Sequence, residues 1–284
     1  MPLQLTQEPI AEPLSLADVK THLRVDIMDD DALIQALITS VRQYAETITR
    51  RAFIAQKWRY VIDSFPGPTL VGIPWGKVFT LPGHAIELEK SRVRAVTAIN
   101  FLDMTGAQQV MPSTDYVVDY SSEPCRITPV FGKIWPIPMP QIAACSVDFI
   151  AGYAAPIVAS TASNTITIQG AWETLSVGDP VRFSTSGGVL PAPLATFTDY
   201  FIQSVVSPGV YTLSATQGGA LLPITNAGAG SNFIGVVPEG IKSWMKIRIN
   251  TLYEQRSDVA ILERGKVEPL PYVDRLLDPY KVVF

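Results

Sequence analysis

The stretch PLSLADVKTHLRVDIMDDDALIQALITSVRQYAETITRR, Pro13 to Arg51, decides the fold because it reads as two helices joined by an acidic turn. Ser15 stands immediately before a helical pattern and Asp18 follows three residues later. That is capping-box spacing, in which each side chain satisfies a backbone N–H of the first turn. Leu14 and Val19 occupy the positions of a hydrophobic staple at the same end. Leu16, Val19 and Leu23 then form an apolar stripe that stops near Val25 and Asp26. Asp29, Asp30 and Asp31 suit the positive end of a second helix. Along it Leu33, Ala36, Leu37, Val41, Tyr44, Ala45 and Ile48 recur at helical spacing, and Arg50 and Arg51 bring the charge preferred at a helix C-terminus. Ile34 and Ile38 fall off that stripe. The helix is therefore expected to be buried on two sides, with Leu33 facing the core and Ile34 and Ile38 facing a second subunit.

Residues before Pro13 are polar and punctuated by proline, which predicts an arm that orders only against a neighbour. After the helix pair, Trp58, Tyr60 and Ile62 alternate with Arg59, Val61 and Asp63 as in a strand. Ser64 to Gly76 is rich in proline and glycine and reads as a loop. Ile86 and Leu88, Val96 to Leu102, Tyr116 to Val118, Cys125 to Ile127 and Ser146 to Ile150 predict a small sheet. Asp103 and Gly106 bracket a hairpin turn. The run Trp135-Pro136-Ile137-Pro138-Met139-Pro140 lacks three amide donors, so it is an extended surface segment rather than helix or central strand. Trp135, Ile137 and Met139 are candidate subunit contacts.

The composition changes at Pro156. From Ile157 to Val236 there is no lysine, and Glu173, Asp179, Arg182 and Asp199 are the only charges. Thr165 to Ile168, Val181 to Phe183, Tyr200 to Val206 and Val210 to Leu213 alternate at period two between glycines and prolines, the pattern of an all-β module. Helical spacing returns after Pro238, which suits a first helical position. Ile241, Trp244, Met245, Ile249 and Leu252 make one face. A short helix starts at Pro271 with Val273, Leu276 and Leu277, and Pro279 ends it, leaving Tyr280 to Phe284 as an exposed apolar terminus.

Several of these elements form an ordered series that resembles the phage head–tail connector, or adaptor, family. They are Pro13 to Lys20, Leu23-Arg24-Val25-Asp26, Asp30 to Ile34, Glu46, Arg51 and Trp58. The likeness resumes at Phe149-Ile150-Ala151-Gly152-Tyr153, Val237-Pro238, Tyr253-Glu254-Gln255-Arg256, Leu270-Pro271 and Leu276-Leu277-Asp278-Pro279-Tyr280. It skips the stretch from about Pro156 to Val236, where Val177 to Val181, Leu190 to Leu194, Asp199-Tyr200-Phe201 and Ala227 to Ser231 resemble a small β-domain found within phage structural proteins. Tyr153 and Pro238 are close neighbours in the connector pattern, so the β-module is an insertion. The expected fold is α+β: a helical bundle with a small antiparallel sheet from residues 1–156 and 237–284, and an inserted β-domain from residues 157–236.

The resemblance implies a structural protein at the head–tail interface of the virion, made in the host cytoplasm. It implies a homo-oligomeric ring of usually twelve copies that docks on the portal and carries the next tail component, a stopper, tube or nozzle. Tail fibres held by the β-domain are a further possible partner. Double-stranded DNA would pass through the lumen without being read. Adaptors of this kind insert a C-terminal segment into the portal, which makes Leu277, Pro279, Tyr280, Lys281, Val282, Val283 and Phe284 the candidate portal contacts.

Composition is compatible with this. The chain has 284 residues, 47% of them hydrophobic and 17% charged, enough for a sizeable core. Its net charge of −4 argues against wrapping nucleic acid by phosphate neutralisation. No apolar run approaches membrane-spanning length, and no basic region followed by an apolar core opens the chain, so a soluble protein with no membrane partner is expected.

Constellations for chemistry are weak. Asp26, Asp29, Asp30 and Asp31 offer oxygen ligands but lack the glycine and distal glutamate of a calcium loop, and helix capping explains them. His22 and His84 stand in no metal spacing and beside no nucleophile motif. Cys125 and Cys145 form no metal spacing or disulfide framework and suit buried thiols. Gly228 and Gly230 precede no phosphate-binding helix and read as a turn, and no Walker A sequence occurs. No cofactor, metal or catalytic set is expected. Trp135 and Trp172 could bind sugar or base faces, although a lone aromatic in a β-module is more often core or interface. The alternative reading is a carbohydrate- or receptor-binding virion protein using the β-domain as its binding unit. A glycan hydrolase would need paired carboxylates, for which the module offers only Glu173, Asp179 and Asp199.

Overall fold

The computed structural model describes residues 3–66, 85–255 and 271–282. Most of the loop expected from Ser64 to Gly76, and His84, Arg256, Leu270, Val283 and Phe284, lie outside the described residues. By their contacts the described elements form two compact units, one holding the first residues and Gln56–Gly152, the other Pro9–Ala55 and the chain from Tyr153 onward.

The first unit is β-structure. Strands β1 (Leu3–Gln7), β2 (Gln56–Ile62), β4 (Val93–Leu102), β5 (Gln108–Val110) and β8 (Cys145–Ala151) make a five-stranded sheet in the order β1-β2-β8-β4-β5. Strands β3 (Ile86–Leu88), β6 (Tyr116–Asp119) and β7 (Cys125–Pro129) form a second sheet in the order β3-β7-β6. All their pairings are antiparallel. β8 is paired on both sides, and its Cys145, Val147, Phe149 and Ile150 are buried. The β4–β5 hairpin turns where the sequence places it. The Asp103 carboxylate accepts the Thr105 and Ala107 amides at 2.8 and 3.1 Å, and the Thr105 hydroxyl and Gln109 amide draw its pKa down to about 2. The expected free N-terminal arm is instead an edge strand, with Leu3 opposite Tyr60 and Leu5 opposite Trp58. Its backbone groups find partners within the chain, and the short alternation of Leu3 and Leu5 with Gln4 and Thr6 is the local signal that the expectation of an arm misses.

The second unit joins helices to a seven-stranded sheet. Helix α1 (Leu16–Leu23) is capped by Ser15, whose hydroxyl accepts the Asp18 amide at 3.2 Å. Asp18 does not reciprocate with its own side chain, which accepts from Ser186 and from Lys246. Leu14 and Val19 are both buried in one core, as the staple requires. Arg24 ends α1 in the left-handed conformation at φ 57°.

Helix α2 (Asp31–Thr49) departs from expectation in the face it buries. Ile34, Ile38, Val41, Ala45 and Thr49 form the buried stripe, with Arg42 and Glu46 buried beside it, while Leu33, Leu37 and Ile48 are only half-buried and Ala36 and Tyr44 are exposed. The buried series steps by four, three, four and four residues, a true helical stripe. Several near-parallel apolar rows ran along this helix, and the partners available, Leu14 and Val19 and the buried face of helix α3 (Glu239–Glu254), selected the one through Ile34 and Ile38. On α3, Ile241, Trp244, Met245 and Ile249 are buried, but Leu252 is exposed and Pro238 is the N-cap residue at ψ 139° rather than the first helical residue. Helix α4 (Pro271–Arg275) and a 3-10 turn (Asp278–Tyr280) complete the helical layer.

Strands β9 (Ala154–Ser160), β10 (Thr165–Ile168), β11 (Pro180–Val181), β12 (Phe183–Val189), β13 (Tyr200–Ser207), β14 (Val210–Ser214) and β15 (Ala229–Gly235) form the seven-stranded sheet in the order β11-β13-β14-β10-β9-β15-β12. Gly230 sits in β15, not in a turn. Its register with β12 shifts between Ser186 and Val189. A Cβ on Gly188 would come within 2.0 Å of the Ala229 carbonyl, so glycine is required where these strands close together. The module begins before its compositional border, because β9 starts at Ala154. Tyr153, Ala154 and Phe233 enter the same core as the helices.

Candidate functional site

Among the described residues no group of three or more His, Cys, Asp or Glu is placed to hold a metal ion. The acidic turn is committed elsewhere: Tyr253 donates its hydroxyl to Asp30 at 2.5 Å, and Lys20 pairs with Asp31 at 2.6 Å, while Asp26, Asp29 and His22 are exposed. Asp179 accepts the Ser176 amide at 2.7 Å, and Asp199 pairs with Arg182, which holds its carboxyl below the usual range. Burial pushes the Cys125 thiol up to about 12 and the Cys145 thiol up to about 11. Thiols held neutral in this way are poor nucleophiles and poor ligands. No described helix is long and apolar enough to cross a membrane.

One charged network is buried. The Arg42 guanidinium donates from Nε to Glu12 at 2.7 Å and from Nη1 to Glu46 at 3.0 Å. Glu46 also accepts the Phe53 amide at 2.8 Å, and the Thr39 hydroxyl donates to Glu12 at 2.9 Å. The network ties the segment before α1 and the chain after α2 to the middle of α2, so its role is positioning.

The C-terminal segment is docked on its own chain as far as it is described. Leu277 is in the helical core and Tyr280 packs against it. The Arg51 Nε–H donates to the Tyr280 carbonyl at 2.6 Å, and the Val282 amide donates to the Thr49 carbonyl at 3.3 Å, with the Val282 side chain buried. The Tyr280 ring lies so close over α3 that a Cβ on Gly240 would meet it at 3.1 Å. Pro279 and Lys281 are exposed, Lys281 pairing with Asp278 at 2.7 Å. Arg51, read as a helix-end charge, is therefore the buried anchor of this terminus.

Of the candidate subunit contacts, Ile34 and Ile38 are wholly buried in the chain's own core and offer a neighbour nothing. Trp135 is also turned inward, its ring stacked on Phe65 at 4.8 Å and 4°. Met139 is half-buried, and its amide donates to the Leu102 carbonyl at 2.8 Å. Ile137 is 77% exposed, and it has company: Phe131 at 104%, Ile134 at 80% and Ile142 at 85%. These three were missed. Their signal was present in the sequence as bulky apolar residues interleaved with prolines where no sheet or helix pattern gives them a face to bury.

Residues 13–70 match the model of the phage gp6-like head-tail connector protein family. The fold of the whole chain is similar to two solved structures. One is described as the neck of an empty GTA particle computed with C6 symmetry, at 15% identity and TM-score 0.54, covering 100% of this chain and 97% of that one. The other is from the virion of a native gene transfer agent (GTA) particle, at 14% identity and TM-score 0.53, again covering 100% and 97%. No curated protein matches the sequence. The resemblance read from the first helices is thus also found by a family model, and the fold is α+β with a large β-module.

Proposed function

We propose that this chain is a structural neck protein of a tailed phage or phage-like particle, forming a ring of about twelve copies between portal and tail. The observation that carries the reading is a coincidence of two independent likenesses. The connector-family match falls on α1 and α2, whose buried faces are the centre of the helical core, and the fold likeness to neck proteins then runs through the entire chain, β-module included. The net charge of −4 suits a lumen that lets DNA slide without gripping it. The portal contact is assigned to the terminal segment around Pro279 and Lys281 and its continuation to Phe284. Residues 157–236 are assigned as the insertion that meets the next tail component or fibres. Native mass measurement and class averages of the purified protein, alone and with portal, test the reading: rings that cap the portal support it, and a monomer indifferent to portal overturns it.

A second reading keeps one observation in its favour. A hollow of about 270 Å³ in the β-module is lined by Ile168, Trp172, Glu173 and Tyr211, an aromatic and acidic set that suits a neutral sugar ring. Binding on a glycan array, lost in Trp172→Ala, would support it.

A further inference from the structure

The segment from Phe131 to Ile142 combines bulk, exposure and rigidity in one place. Phe131, Ile134, Ile137 and Ile142 are each at least 77% exposed. Together they present on the order of 500 Å² of apolar surface, as large as the largest patch on a typical monomer. One side of a standard interface buries roughly 800 Å², so these four side chains supply most of an interface core.

The segment is held in shape beneath this surface. Trp135 stacks on Phe65, the Val130 amide donates to the Asp115 carbonyl at 3.0 Å, and the Ala143 amide donates to Asp63 at 2.9 Å. With Pro136, Pro138 and Pro140 fixing the backbone between them, little freedom remains to be lost on docking. The only charge from Val130 to Ala144 is Lys133, and it is paired with Asp115.

We propose that this segment is one half of a head-to-tail contact between copies of this chain, seating on the next copy beside Ile10 and Leu16. The inference rests on the ring reading above and names the surface that closes the ring. Three features favour a second copy over a different protein. Permanent homo-oligomer contacts are more apolar and less charged than transient docking sites, which matches a patch with one neutralised charge. A ring needs two unlike patches on each chain. The chain supplies the second as a hollow of about 370 Å³ lined by the exposed Ile10 and by Leu16, with the exposed Gln35 available to meet backbone groups of an extended segment.

The test uses the full chain. The double variant Ile134→Asp, Ile142→Asp alters only exposed positions, so its thermal unfolding curve should match wild type while self-association weakens by about 100-fold or more and rings disappear from class averages. A second pair, Ile10→Cys with Ile134→Cys, treated with a short bis-maleimide, should give a ladder of linked multimers on a denaturing gel, whereas either single variant gives none. The buried native thiols do not interfere. Rings that persist in the aspartate variant overturn this proposal and leave the neck reading standing. So do rings that persist but no longer bind portal or tail, since the surface then belongs to another partner, and so does a closed dimer in place of a ring. A wild-type protein that stays monomeric with portal present overturns the neck reading itself, and this proposal with it.

Discussion

Ile38→Asp separates the two possible roles of α2. Ile38 is fully buried among Leu14, Val19, Trp244 and the rest of the helical core, whereas Leu33 is half-buried. Truncating a buried isoleucine costs about 2–5 kcal/mol. An unpaired carboxylate in its place adds several kcal/mol more, either as desolvation or as the uptake of a proton. The sum reaches about 5 kcal/mol or beyond, comparable to the roughly 5–15 kcal/mol that keeps a domain folded. Leu33→Asp keeps its carboxylate within reach of water and should cost no more than about 1–2 kcal/mol. Guanidinium titrations followed by far-ultraviolet circular dichroism, with size measurements on the same samples, give the comparison. Ile38→Asp should be largely unfolded at pH 7, and Leu33→Asp folded with a slightly lowered midpoint. The introduced buried carboxyl has its pKa raised, so the variant should regain stability as pH falls. If Ile38→Asp keeps its cooperative transition and only disperses rings, Ile38 lies at a subunit boundary and the core described above is wrong.

Glu46→Leu should cost about 3–5 kcal/mol, because Arg42 keeps its burial with only Glu12 beside it and the Phe53 amide loses its acceptor; an unchanged denaturation midpoint would dismiss the network. Cys125 and Cys145 should resist a thiol reagent at pH 8 until denaturant is added. Their raised pKa values favour the folded state below pH about 9, and that contribution is lost as pH rises through 11 to 12, so rapid labelling of native protein would contradict their burial. Removing Tyr280 to Phe284 takes away Val282 and the Arg51 and Thr49 contacts, which should lower stability by about 2–3 kcal/mol. An unchanged melting temperature with lost portal attachment would show that the portal, not the chain itself, holds this terminus. Deleting residues 157–236 across a Gly-Ser bridge tests the proposed insertion: the helices should stay folded but lose about 3–5 kcal/mol with Phe233, and loss of any cooperative transition would make helices and strands one folding unit.

The sequence by itself determined the elements whose signals are local. Ser15 caps α1 because its hydroxyl reaches an amide three residues on, and the Asp103–Gly106 turn forms because one carboxylate collects nearby donors. The strands around Trp58, Phe149 and Tyr200 follow from alternation, and the connector likeness of Pro13 to Arg51 needed only spacing. Tertiary structure decided what depends on partners distant in the chain. Which of the apolar rows on α2 is buried was set by Leu14, Val19 and α3, not by α2 alone. Leu3–Gln7 became a strand because β2 offered an open edge, and Gly230 joined a strand because β12 lies against it. Arg51 became an anchor because Tyr280, 229 residues on, places a carbonyl beside it. Phe131, Ile134 and Ile142 stay outside for the converse reason: local pattern fixes a side chain's direction, but only the full set of neighbours decides whether anything covers it, and all three remain largely exposed among the described residues.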